Sequence, residues 1–170
     1  MPAYAQTPAD TPALSISVGV PALIWSDPDL NALPGGRLGL QWTAGNGALL
    51  IRWGFESGFI PLNFDPPVLS ACLIPLNLRI AAFVRHNKGL SLGLSLLFGG
   101  ILVIGDNEVR PVYMTGARLT GEWEITGTEK SIRLYAETGI DITPEYPRSI
   151  FLAVAEVGIR IPLQTIKEEE

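Results

Sequence analysis

Residues 149 to 163, "SIFLAVAEVGIRIPL", carry an apolar side chain at every second position. On a strand of period two, Phe151, Ala153, Ala155, Val157, Ile159, Ile161 and Leu163 share one face, and Val154, Glu156, Gly158 and Arg160 share the other. The same alternation recurs upstream. It predicts eight strands with no convincing helix between them, at residues 13 to 25, 36 to 43, 48 to 60, 71 to 86, 89 to 104, 110 to 126, 131 to 142 and 149 to 163.

The connectors alternate in character. "AGNG", "HNKG" and "GTEK" follow the second, fourth and sixth strands, and their Gly, Asn and Lys tolerate the backbone angles of tight hairpins. "SDPDLNALPG", "PLNFDPPVLS", "GDNE" and "TPEYPR" follow the others and are mostly longer and proline-rich. Such asymmetry suits an up-and-down meander with short turns and both termini on the periplasmic side and longer loops outside.

One face of this meander holds Ile16, Val18 and Val20, Leu38 and Leu40, Ile51 and Phe55, Leu76 to Ile80 at alternate positions, Leu90 to Phe98 likewise, and the set from Phe151 to Leu163, with no charge among them. The other carries Arg52, Glu56, Arg79, Arg85, Arg118, Glu122, Glu124, Arg133, Glu137, Asp141, Glu156 and Arg160, six arginines against six acids, among glycine, serine and threonine. Lys88, Lys130 and Lys167 all fall in turns or the tail. Arginine without lysine points to enclosed pairing, because the planar guanidinium grips carboxylates with a two-pronged geometry and is weakly hydrated. Facing lipid, each arginine would cost about 2 to 4 kcal/mol near the midplane, and the sum would exceed a domain's stability. Facing water, the apolar face would exceed by far the patch a soluble monomer exposes. The consistent solution is an eight-stranded antiparallel transmembrane β-barrel, all-β, with charges in the lumen and apolar residues toward lipid. From Phe151 to Leu163 the last strand would climb roughly 28 Å at 45° tilt, close to the apolar band of such a barrel. The alternative is a soluble lipocalin-like ligand-binding barrel with the faces exchanged. Its narrow interior would then have to hold Trp42, Trp53, Phe55, Phe98, Trp123 and Phe151 together with the leucines.

Composition agrees with one β domain: 170 residues, 47% hydrophobic and 17% charged, with 18 Gly and 14 Pro. No apolar run reaches the roughly 20 residues of a transmembrane helix. The net charge of -5 leans on the terminal "KEEE", so residues 164 to 170 read as a solvated acidic tail and offer nothing to nucleic acid. A lone Cys72 excludes an internal disulfide. In residues 1 to 12, "PAYAQ" has the small-x-small pattern that ends a signal peptide, with cleavage expected after Ala5, and the apolar core that should precede it is missing. The segment therefore reads as a signal-peptide remnant followed by a disordered N-terminus, the alternative being an ordinary polar N-terminus.

Over residues 13 to 163 the chain resembles the small eight-stranded outer-membrane β-barrels of the OmpA-transmembrane-domain and OmpX type. "EVGIRIPL", Glu156 to Leu163, is similar to their C-terminal β-signal: a polar residue, glycine two places on, then hydrophobic residues at alternate positions. The resemblance implies a bacterial outer-membrane location, membrane lipids as surroundings, and recognition by the barrel-insertion machinery through Glu156, Gly158, Ile161 and Leu163. The chain departs from that family by running on through "QTIKEEE" and by its short outer loops.

Catalysis finds little support. His86 is the sole histidine and sits at a turn, no Ser-His-acid set can be assembled around another, and metal-ligand spacing is absent, so no cofactor is implied. The inward positions toward the outer end, Leu23, Trp25, Ile60, Leu97, Met114, Leu152 and Val154, are apolar. Two readings stand for them: a dry packed core above a salt-bridge plug, or an outward-facing pocket for a small hydrophobic ligand or lipid. A bulge at Gly99 and Gly100 would turn Ile101 and Val103 to the lipid side. The expected function is a non-enzymatic barrel with a salt-bridged lumen, serving as an envelope component or as partner of another envelope protein.

Overall fold

The computed structural model describes residues 13–27, 32–45, 48–62, 71–87, 89–105, 108–125, 132–144 and 149–163. The stretches read as a signal-peptide remnant and as an acidic tail lie outside these residues. Eight strands follow in order: β1 (Ala13–Asp27), β2 (Gly36–Ala44), β3 (Leu49–Leu62), β4 (Ala71–Asn87), β5 (Leu90–Gly105), β6 (Glu108–Glu124), β7 (Arg133–Pro144) and β8 (Ser149–Pro162). Their ends lie within two residues of those the alternation predicts.

Each strand pairs antiparallel with the next, and β8 closes on β1 through Val18↔Ile159 and its neighbours, so the sheet is a closed barrel with no free edge. At one end the hairpins after β2 and β4 pass through Gly45 and Gly89, whose φ values of 124° and 131° lie where side chains are strained. That end, where β1 starts and β8 finishes, is the turn end; the opposite one is the loop end.

Burial follows the pleat. Ile16, Val18, Leu38, Leu40, Phe55, Leu76, Leu78, Ile80, Leu92, Leu94, Leu96, Leu119, Leu134, Val157 and Ile159 are exposed on the outside. Arg52, Arg79, Arg118 and Glu122 are buried to 1–2% exposure or less. The apolar face is therefore outward, the reverse of a lipocalin. Tyr113, Phe59 and Phe151 stand exposed near the loop end and Trp123 near the turn end, where interface aromatics sit in membrane barrels.

Two details depart from simple alternation. The register of β1 on β8 shifts between Leu23 and Trp25, so Ile24 and Trp25 both face outward and Ser26 returns to the interior. Trp25, expected inside, is 58% exposed on the outer wall because of this bulge. At Gly99 and Gly100, by contrast, the ladder runs unbroken through Asn77↔Gly99, Leu76↔Gly100 and Pro75↔Ile101, and Ile101 stays buried.

Candidate functional site

The lumen is layered along the barrel axis. At the loop end Ile60, Leu62, Leu73, Ile101, Met114, Leu152 and Val154 pack into one apolar cluster, with half-buried Leu23 and Val103 against it. Leu97 is fully buried. Of the residues expected to line this half, all but Trp25 point inward.

Below it lies a layer of charge. Arg79 on β4 donates from Nη1 to Glu56 at 2.8 Å and from Nη2 to Glu137 at 2.7 Å and to Thr120 Oγ1 at 2.9 Å. Arg37 on β2 sets one Nη1 among three carboxylates, 2.8 Å from Glu156, 3.3 Å from Glu137 and 3.5 Å from Glu56. Gln41 donates to Glu56 at 2.9 Å, the Tyr135 hydroxyl donates to Glu156 at 2.6 Å, and Arg118 pairs with Asp141. Glu56, Glu137 and Glu156 stand on β3, β7 and β8, so beyond their contacts with Glu56 on a neighbouring strand, Arg79 reaches from β4 to β7 and Arg37 from β2 to β7 and β8, strands with which they share no backbone ladder. Their mutual repulsion is offset only while the guanidiniums stay between them.

Toward the turn end Glu122 is the centre of a second cluster. Arg52 donates to both its oxygens, at 2.5 and 3.1 Å, Arg160 closes on the same carboxylate, and Arg133 lies 3.7 Å away. Arg52 also donates from Nε to Thr43 at 3.0 Å. Its guanidinium lies over the Phe83 ring at 4.2 Å, and that of Arg160 lies 5.1 Å from the Tyr135 ring. Half-exposed Glu124 and Arg133, 3.6 Å apart, mark the rim.

Arg52, Glu56, Arg79, Arg118, Glu122, Glu137, Asp141, Glu156 and Arg160 thus meet in the lumen. Arg85 does not. Beside a register shift between Arg85 and Asn87, it stands exposed at the turn-end rim, with no ion pair among the described residues. Arg37, which sequence reasoning passed over, takes its place and restores the balance of charges. The signal was present, since Arg37 has the parity opposite to Leu38 and Leu40. Tyr135 and Phe83 were also missed, being large aromatics on the polar face. Each lies over a glycine of the next strand: a Cβ on Gly158 would stand 2.6 Å from Tyr135 Cζ, and one on Gly93 would stand 2.7 Å from Phe83 Cγ. Of the other residues of the last-strand motif, Ile161 is half-buried and Leu163 is exposed just beyond β8.

No protein-family model matches the chain, and no curated protein matches it in sequence. Solved structures do match in fold. Neisserial surface protein A superposes with a TM-score of 0.60 at 9% identity, over 89% of this chain and 96% of that one. Ail, the attachment invasion locus protein of Yersinia pestis, solved in complex with the heparin analogue sucrose octasulfate, gives 0.52 at 10% identity, over 89% and 99%. The chain has the fold of the small eight-stranded outer-membrane β-barrels.

Proposed function

We propose that this protein is a non-enzymatic outer-membrane barrel whose lumen is plugged by ion pairs, serving as a structural envelope component or as partner of a larger membrane assembly. The observation that carries this reading is the pairing of an uncharged apolar outer wall with a lumen whose arginines and acids bridge strand to strand. An apolar wall of this extent is stable in lipid, and a lumen crossed by guanidinium–carboxylate contacts leaves little path for water or ions. Both termini and the tight hairpins would face the periplasm, and the last strand, with Glu156, Gly158, Ile161 and Leu163, would be what the barrel-insertion machinery recognises. The tight cluster of Ile60, Met114, Leu152 and Val154 favours a dry core over a pocket for a hydrophobic ligand. Secretion of the chain in a Gram-negative host, followed by membrane fractionation, tests the location. The expected result is an outer-membrane band that disappears when the insertion machinery is depleted. Recovery in the soluble periplasmic fraction would overturn the proposal.

A further inference from the structure

The turn-end mouth of the lumen is a cavity of about 280 Å³, and four of its lining side chains are Arg52, Arg85, Arg133 and Arg160. They come from β3, β4, β7 and β8, so guanidiniums face one space from separate walls. Only Glu122 and Glu124 answer them among the described residues, which leaves two positive charges in excess. The donors are not exhausted either. Arg160 is 3% exposed, yet its Nε and Nη2 have no hydrogen-bond partner among the described residues, and Arg85, exposed at the rim, has no ion pair among them. A buried guanidinium with donors left without acceptors is costly, and a site that sets it beside the guanidiniums of Arg85 and Arg133 is suited to an anion.

We propose that this mouth binds a compact dianion of the phosphate class, as inorganic phosphate or a phosphate monoester. The choice of phosphate rests on geometry. A planar carboxylate offers two oxygens on one edge, whereas a tetrahedral phosphate presents oxygens in several directions and can accept from Arg85, Arg133 and Arg160 on three different strands. Its two negative charges match the excess, and its size suits the cavity. Arg52, fully engaged with Glu122 and Thr43, holds the wall in place without being a ligand.

The phosphate could arrive free in solution or as the headgroup of a lipid reaching over the rim. Both sources are tested with the full chain refolded in a zwitterionic detergent or in nanodiscs, its folded state checked by unheated gel electrophoresis. Titration with inorganic phosphate, read by phosphorus NMR and calorimetry, is expected to give saturable binding at millimolar concentration or below. R85Q/R133Q changes only rim residues and should weaken it about tenfold or more while the gel shift persists. If saturation and its loss in R85Q/R133Q appear only with nanodiscs containing phosphatidic acid, the site belongs to a lipid headgroup. Pro162 lines the mouth and the sequence runs on to Glu168, Glu169 and Glu170, so E168Q/E169Q/E170Q removes the nearest carboxylates in sequence as competitors; binding revealed only in that variant also supports the site. Folded protein that shows no saturable binding in any of these forms, or binding that R85Q/R133Q leaves unchanged, overturns the proposal.

Discussion

Arg79 Nη2 donates to Glu137 Oε2 at 2.7 Å across the lumen, joining β4 to β7, two strands with two others between them along the sheet. The contact is wholly buried. It fastens opposite parts of the wall to each other in a way no backbone ladder does.

Removing one partner of such a pair leaves a buried charge without its counterion. Arg79→Met should therefore lower stability by about 3 to 5 kcal/mol, whereas Arg133→Met, at the half-exposed rim, should cost about 1 kcal/mol or less. Urea unfolding in short-chain lipid vesicles checks both. Equal effects would mean that the charged layer contributes nothing specific.

The ring of Phe83 lies over Gly93 on the neighbouring strand, where there is no room for a side chain. Gly93→Ala should cost about 1 to 3 kcal/mol through overpacking, and adding Phe83→Leu should restore part of it. Additive losses in the double variant would show that the ring and the glycine are not coupled.

Tyr135→Phe deletes the hydroxyl that donates to Glu156 at 2.6 Å and keeps the ring over Gly158. A hydrogen bond to a charged acceptor is worth about 1.5 to 3 kcal/mol, and the same unfolding measurement should show a loss of that size. A neutral outcome would place the value of Tyr135 in its ring alone.

Trp25 faces outward because of the β1 bulge. Lipids brominated near the headgroup should quench its fluorescence, so Trp25→Phe should remove part of the quenching seen in the parent protein. Unchanged quenching would return Trp25 to the lumen.

Much of the fold is legible in the sequence because the outer wall meets one solvent along its whole length, so that each run such as Leu90 to Phe98 declares its face unaided. The register of strand on strand is set by side chains on other strands and is invisible locally. That is why alternation places Arg85 in the lumen although a shift before Asn87 leaves it at the rim, and why the partner of Arg79 cannot be named from sequence; Arg37, by contrast, is legible from its parity against Leu38 and Leu40. The bulge at Trp25 lies within "ALIW", where four apolar residues in succession carry no period to read. The glycines under Tyr135 and Phe83 are likewise meaningful only once the register is known.

The central claim is that the apolar face looks into lipid and the charges look into the lumen. Refolding the purified chain in parallel in plain buffer and in detergent micelles or lipid vesicles, followed by circular dichroism and gel electrophoresis with and without heating, tests it most directly. A β-rich species whose migration changes on heating, formed only with detergent or lipid, is the predicted result. A monodisperse β-protein in buffer alone would contradict it.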